Sequence, residues 1–400
     1  MANSLLNISM ITKESLRILK NELGFAKGVN RQYDDQFAKK GAKIGSVINI
    51  RKPVRYTVSD GAALELQNIQ DQSVALTLDS QKHVGFQFSS KELTLNIDEF
   101  SDRYIKPAIC SLANKIDYDG LGLFQSVYQS TGTPGTTPNA FSYITDAATK
   151  LSNGATPVDD MRQIAWNPAG SGGLAAGLSG LFHDQAEISK QYRKGLMGLA
   201  GGFTHFMDQN VRQHTVGAFA GSGRVNGANQ TGSSLVTNNW TSGSLSLLVG
   251  DVFTVAGVYA VNPQNRQSTG QLQQFVVTAA VSDTAGAATI SISPSIVVSG
   301  QYQTVSGSPA NLAAITMVGS QNTAYPQNLA YHKDAFVLGM ADLELPGGVD
   351  MAARAVDPDS GLALRIVRAY DINNDTFPCR VDVLYGWKAV YPEMACRIWG

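Results

Sequence analysis

Closely spaced glycines are the first feature that could carry chemistry, because a glycine-rich turn can hold phosphate groups on its backbone amides. The chain contains no GxxxxGK[ST] sequence. Gly221, Gly223 and Gly227 form GxGxxxG, which is one residue longer than the dinucleotide-binding spacing, and no strand and helix are predicted on its two sides. We therefore interpret this set as a flexible boundary loop and not as a phosphate site.

A hydrolase would need a nucleophile on a sharp turn and a base within its reach. The sequence closest to GxSxG surrounds Ser179, where Leu181 stands in place of the second glycine of the motif. His183 is followed by Asp184, but this pair has no further partner at a recognised spacing. The serine and histidine positions therefore predict no hydrolytic site.

Metal ligands were sought among the histidines, the carboxylates and the cysteines. His205, Asp208 and His214 lie close together in the sequence, but HExxH and other known ligand spacings are absent, and we interpret the three side chains as hydrogen-bonding groups. Three cysteines, without a CxxC pair, favour reduced core thiols over a disulfide framework; they are Cys110, Cys379 and Cys396. The sequence predicts no metal, no cofactor and no enzymatic activity.

The charge balance argues against a protein that grips nucleic acid by its phosphates. The chain has 31 basic and 32 acidic residues among its 400, and only 16% of the residues are charged, against about 25% in ordinary globular proteins. No run of Lys or Arg exceeds two residues, and no apolar stretch is long enough for a transmembrane helix. A length of 400 residues predicts roughly two or three domains, and low net charge suits dense packing of identical copies.

The N-terminal part reads as a helix followed by a projecting β-arm. Residues 11–25 place Leu16, Leu19 and Leu23 on one face of a helix that Thr12 could cap. Residues 46–58, bent at Pro53, and residues 74–88 read as strands joined by a polar tip. Such an arm has too little core to be stable alone, and we expect it to lie along a partner subunit. Its candidate inter-subunit residues are Arg51, Lys52, Arg55 and Lys82.

A long helix is predicted over residues 98–127, capped by Asp98 and kinked at Pro107. A mixed α/β region follows, with a helix at 141–151 and a strand at 161–166. At about Gly221 the composition changes, because residues 221–330 contain only four charged side chains and many β-rich apolar runs. We interpret this segment as an all-β domain inserted into an α/β parent, and we expect its removal to leave a foldable but assembly-defective body.

This order of parts resembles the HK97-like fold of tailed-phage capsid proteins, in particular the short-tailed-phage coat proteins that carry an inserted β-barrel. Three stretches carry the resemblance. The start, ITKESLRILKNELGF followed by INIRKPVRY, is similar to the family's N-arm and extended loop. DRYIKPAICSLANKID is similar to the spine helix, and GLMGLAGGFTHFMDQNV together with VDVLYGWKAVYP is similar to the flanks of the insertion and the last strands.

The resemblance implies an α+β fold with axial and peripheral domains and the following division of the chain. Residues 1–35 would be the N-terminal arm, 36–95 the extended β-loop region, and 96–130 the spine helix of the peripheral domain. Residues 131–222 would begin the axial domain, 223–326 would form the inserted β-barrel, and 327–400 would return to the axial and peripheral domains.

The resemblance also implies a function, that of a major capsid protein which builds an icosahedral shell through a scaffolded procapsid. The expected partners are further copies in hexamers and pentamers, a scaffolding protein, a portal protein, a decoration protein in some particles, and packaged double-stranded DNA bound without sequence specificity. The expected location is the virion capsid, with assembly in the host cytoplasm and no membrane partner. The alternatives are a tail-tube or decoration protein and, from another class, a maturation protease.

Overall fold

The structure is a computed structural model that describes residues 8–31, 47–58, 61, 66–89, 106–178, 198–357 and 361–400. It is a mixed α+β chain, as the sequence predicts. Two compact units are present. The first unit comprises Met1–Arg51, Ser73–Gly120 and Phe336–Lys388, and the second comprises Lys52–Gln72, Leu121–Ala335 and Ala389–Gly400. No helix in the described part of the chain has both the length and the apolar character needed to cross a membrane.

The helices are α1 Ile8–Glu22, α2 Lys106–Leu121, α3 Ser142–Asn153 and α4 Pro168–Gly177. The strands of the first half are β1 Val47–Lys52, β2 Gln72–Thr77, β3 Ser80–Ser89, β4 Ser130–Thr131, β5 Arg162–Trp166, β6 Leu199–Ala200, β7 Phe203–Met207, β8 Gln213–Thr215, β9 Gly221–Val225, β10 Gly232–Trp240 and β11 Ser246–Leu247. The remaining strands are β12 Val252–Val261, β13 Ser268–Val277, β14 Val281–Ser282, β15 Ala288–Ile296, β16 Ile315–Met317, β17 Ala324–His332, β18 Phe336–Ala341, β19 Met351–Asp357, β20 Leu362–Arg368, β21 Thr376–Ala389 and β22 Ala395–Trp399.

Helix α1 packs on the sheet of the first unit, in which the strand order is β18-β21-β20-β19 and β3 pairs with β21. The apolar stripe of Leu16, Leu19 and Leu23 is buried, as predicted. The predicted N-cap is wrong, because the helix begins at Ile8 and Thr12 lies inside it, buried. The stripe faces the chain's own strands β19 and β20, and its burial supplies the stability that so short a helix lacks by itself.

The predicted long helix is present as α2, and the expected kink at Pro107 is not a break between two described helical pieces. Pro107 is the second residue of α2, where a missing backbone N–H costs least. The predicted cap Asp98 and residues 98–105 lie outside the described residues. Beyond Leu121 the helix tightens into the 3-10 segment Gly122–Ser126. Gly120 is required near this end, because a Cβ there would lie 2.6 Å from the ring of Trp387.

The arm strands are shorter than the sequence predicts. Strand β1 ends at Lys52, directly before Pro53, because proline cannot donate the next ladder hydrogen bond. The expected strand over 74–88 is two strands, β2 and β3, separated by Leu78 and Asp79. Strand β1 pairs with β2, whereas β3 pairs along its whole length with β21.

The body of the second unit is a seven-stranded sheet with the order β4-β22-β17-β5-β7-β6, and β8 pairs with β17. Helices α3 and α4 supply Ile144, Leu151 and Leu174 to its core. Helix α4 forms despite four glycines, because Asn167 caps its start through Gly170 N at 2.8 Å and proline occupies its first turn.

The inserted all-β segment folds as predicted, as a six-stranded sheet in the order β16-β12-β13-β15-β10-β9. Hydrogen bonds from Val225 N to Ala313 O (3.0 Å) and from Leu312 N to Val225 O (2.9 Å) bring its two edges together, so the sheet is nearly a closed barrel. The GxGxxxG segment was expected to be a boundary loop and instead begins edge strand β9. Gly223 lies against the Trp240 ring, which leaves no room for a side chain.

Candidate functional site

His205 and His214 belong to separate hydrogen-bond networks. His205 Nδ1 accepts a hydrogen bond from Trp166 Nε1 at 2.9 Å, and its Nε2 lies 2.9 Å from the carbonyl oxygen of Ala200. His214 Nε2 lies 2.8 Å from a carboxylate oxygen of Asp251. Burial holds the pKa of His205 below its usual range, and the hydrogen bond to Ala200 opposes the shift. The described residues contain no group of three potential ligands that could hold a metal.

Asp208 also has its own local contacts, since a carboxylate oxygen accepts from Asn210 N at 2.8 Å. The predicted hydrogen-bonding roles of His205, Asp208 and His214 are therefore what the structure shows. Ser179, His183 and Asp184, the positions weighed for hydrolysis, lie outside the described residues. The three cysteines are free thiols, of which Cys379 and Cys396 are buried.

The most constrained polar group is Arg397, which sequence reasoning missed. Its side chain on β22 is fully buried. Its Nε donates to Val127 O and its Nη1 to Gly250 O, each at 2.7 Å, and its guanidinium lies 5.4 Å from the ring centre of Phe124. Burial lowers the pKa of Arg397 to about 9, and the charge of Asp251 opposes this shift. A buried guanidinium is tolerated only where its donors are paired.

Asp251 is the acidic counterpart and is itself buried. Its carboxylate accepts from Leu248 N at 2.8 Å and from Gly217 N at 3.1 Å, in addition to its contact with His214. Asp251 is one of only four charged residues between 221 and 330, and that rarity was the sequence signal that could have marked it. Together Arg397 and Asp251 tie the inserted sheet to the last strand of the chain.

Apolar packing reinforces this connection. One buried cluster combines Val252 and Val276 of the inserted sheet with Val216, Tyr325 and Trp399 of the body. The rings of Tyr325 and Trp399 meet edge to face at 5.8 Å. The inserted sheet and the body of the second unit therefore share a core, although their compositions differ.

The residues that the sequence singles out for contacts between subunits lie along the arm. Arg51 is exposed on β1, and Lys82 is half-buried on β3. Lys52 Nζ lies 4.8 Å from the ring centre of Tyr391, and Arg55 Nη2 forms an ion pair at 2.9 Å with Glu393. Arg55 thus has an acidic partner within its own chain, while the role of all four residues between subunits stays a prediction.

The segment between β1 and β2, residues 53–71, is called the arm loop. Three side chains of the inserted domain donate to its backbone carbonyls. Arg266 Nη2 donates to Tyr56 O at 2.6 Å, Gln301 Nε2 donates to Asn68 O at 3.2 Å, and Tyr302 Oη donates to Gln70 O at 2.9 Å. The arm loop therefore rests on its own inserted domain.

A further pair of contacts fastens the chain after α1 to helix α2. Asp117 is buried, and its two carboxylate oxygens accept from Gly24 N at 2.6 Å and from Ala26 N at 2.8 Å. Lys20 also bonds to Asp357 at 2.6 Å. The N-terminal helix is thus docked on its own unit.

Comparisons with known structures support the fold. A structure titled "Mycobacterium phage Che8" matches over 94% of this chain and 90% of that chain, with 15% identity and a TM-score of 0.50. The capsid of Ralstonia phage GP4 matches over 94% and 88%, with 8% identity and a TM-score of 0.45. The head structure of Helicobacter pylori bacteriophage KHP40 matches over 94% and 88%, with 11% identity and a TM-score of 0.41. A search of curated proteins finds no match.

The family assignment comes from the sequence. The family described as "P22 coat protein - gene protein 5" matches residues 1–400, which is the whole chain. The fold agrees with the HK97-like expectation, and the inserted nearly closed sheet agrees with the expected barrel. The chain belongs to the P22 coat protein family and is a tailed-phage major capsid protein.

Proposed function

We propose that this capsid protein builds its shell from hexamers and pentamers, by way of a scaffolded procapsid that matures as DNA is packaged. The observation that carries the proposal is the family match over all 400 residues. It favours a shell protein over the alternatives of a tail-tube or decoration protein. Closure of a symmetric shell lets many weak contacts act together, so no single contact between copies must be strong.

The partners are proposed on the same basis. Scaffolding and portal proteins, and a decoration protein in some particles, would contact the shell, which assembles in the host cytoplasm and becomes the virion capsid. The packaged DNA would meet a wall with a formal charge of −1 per chain. Such a wall gives little phosphate neutralisation, so DNA is enclosed and not read. The chain acts as a structural protein and not as an enzyme or protease.

The division into N-arm, extended loop, spine helix, axial domain and inserted barrel remains part of this proposal, as do the inter-subunit roles of Arg51, Lys52, Arg55 and Lys82. The exposed Arg51 is the most available of the four for an acidic group on a neighbour. Arg55 is already paired with Glu393 and would have to share or exchange that partner.

Electron microscopy tests the proposal. The full chain would be expressed with and without its neighbouring phage genes and imaged in negative stain. Closed, uniform shells are expected when the scaffolding gene is present. Open tubes or fibres in all conditions would favour a tail component, and small oligomers in all conditions would contradict the proposal.

A further inference from the structure

The arm loop has two sides with different chemistry. One side accepts hydrogen bonds from the inserted domain through the backbone carbonyls of Tyr56, Asn68 and Gln70. The other contacts are electrostatic, since Arg55 pairs with Glu393 and its guanidinium lies 6.0 Å from the ring centre of Tyr302. Backbone carbonyls fix the path of the loop and leave its side chains free for another partner.

The loop also has an internal brace. Thr57 N donates to Gln67 Oε1 at 2.8 Å, and Gln67 Nε2 donates back to Thr57 O. This reciprocal pair joins the outgoing and returning limbs of the loop. The limbs therefore approach the inserted domain as one braced element, although β1 and β2 form only a two-stranded sheet.

Close apolar packing does not hold the loop in place. A cavity of about 470 Å³ lies between the loop residues Thr57, Gln67 and Asn68 and the inserted-domain segment around Gly300. Protein interiors are packed too tightly to leave such a space. The specific donors Arg266, Gln301 and Tyr302 are thus what attaches the loop to this surface.

The apolar side chains of the loop are left uncovered by this attachment. Val58 is 92% exposed and Leu66 is 88% exposed, and Tyr56 and Ile69 are also mainly exposed. Four large apolar side chains on one short loop form an interaction surface more readily than a set of scattered exposures does. Covering them requires a further chain, and in a shell the neighbouring molecule is another copy of this protein.

We propose that the inserted domain of each subunit holds its own arm loop through Arg266, Gln301 and Tyr302, and that the loop so held presents Tyr56, Val58, Leu66 and Ile69 to a second copy. The inference rests on the proposed shell function and assigns the inserted domain a role in it. Holding the loop beforehand lowers the conformational entropy lost when the second copy binds.

The first test removes the three donors in the full chain, as Arg266→Ala, Gln301→Ala and Tyr302→Phe together. Hydrogen–deuterium exchange of the dissociated chain should become about tenfold faster over residues 66–72, because the loop opens locally. The critical concentration for shell assembly should rise about tenfold, in line with the added ordering cost. The control is Arg224→Ala, which removes an exposed charge from β9. Unchanged exchange over residues 66–72 would overturn the inference.

The second test changes the uncovered side chains without touching the donors, as Val58→Ser with Leu66→Ser. We expect wild-type thermal stability and wild-type exchange of the loop, with the critical concentration raised about tenfold or more, the effect of losing about two buried apolar groups. The control is Val158→Ser, which is 82% exposed outside the arm loop. Assembly of the arm-loop variant at the wild-type concentration would overturn the inference. If wild type itself forms no shells, the proposed function fails as well.

Discussion

Arg397 Nη1 lies 2.7 Å from the carbonyl oxygen of Gly250, although the two residues are 147 positions apart in the sequence. The contact joins the last strand of the chain to the entry of the inserted domain. Because both groups are shielded from water, neither can replace a lost partner with solvent. This makes the junction the place where the inserted domain and the body are most sensitive to substitution.

Replacing Arg397 with Met should lower the free energy of unfolding by about 3 kcal/mol, because two buried carbonyls lose their donor and Asp251 loses its compensating charge. Urea unfolding of the dissociated chain measures this. Arg17→Met removes an exposed ion pair with Glu14 and should cost less than about 1 kcal/mol. Equal effects of the two substitutions would refute the central role of Arg397.

Asp251→Asn tests the same junction from the acidic side. The amide is nearly isosteric, but it would place donor hydrogens where Leu248 N, Gly217 N or His214 now donates. We expect a loss of about 3 kcal/mol, whereas Asp283→Asn, at an exposed turn, should cost about 1 kcal/mol or less. A double variant with Arg397→Met should lose less than the sum of the single losses, since the two charges act on each other.

Asp117→Ala should release the segment that follows α1. Two backbone N–H groups, of Gly24 and Ala26, lose their acceptor, and we expect a destabilisation of about 2 kcal/mol. Exchange over residues 12–30 should accelerate more than exchange over α3, which belongs to the other unit. Asp117→Asn keeps one acceptor and should fall between wild type and the alanine variant; uniform acceleration across the whole chain would contradict a local tether.

His205 should make stability depend on pH. Burial lowers its pKa, so the unfolded chain takes up the proton at a higher pH than the folded chain. Its stabilisation is therefore complete above about pH 6.5 and is lost as the pH falls from there towards the lowered folded pKa. His205→Gln should reduce the stability difference between about pH 7.5 and about pH 5.5 by roughly 1 kcal/mol. The exposed His83→Gln should leave that difference unchanged.

Removing residues 223–326 should do more harm than composition suggests. The abrupt loss of charge at about Gly221 predicted a separable domain and a foldable remainder. In the structure the deletion would uncover Trp399, which packs on Val252, Val276 and Tyr325, and would strip Arg397 of a hydrogen-bond acceptor. We now expect an aggregating body with low soluble yield. A soluble monomer that unfolds cooperatively at the wild-type temperature would show that composition was the better guide.

The sequence by itself determined the elements whose pattern is local. The stripe of Leu16, Leu19 and Leu23 predicted α1, and the charge-poor β-rich run after Gly221 predicted the inserted sheet. The order of these parts supported the family, because hydrophobic period and turn residues act within a few positions of one another. The same local signals failed at Thr12 and at Gly223, where burial against other segments outweighed capping and loop preferences.

Only the tertiary structure decided which distant groups meet. Arg397 and Val127 are 270 positions apart, and nothing near either residue marks a buried guanidinium. The arm loop likewise reads as a projection that needs a partner, and the fold supplies Arg266, Gln301 and Tyr302 of the same chain as one. The physical reason is that burial and pairing depend on the whole packed chain, whereas propensity depends on neighbours in sequence.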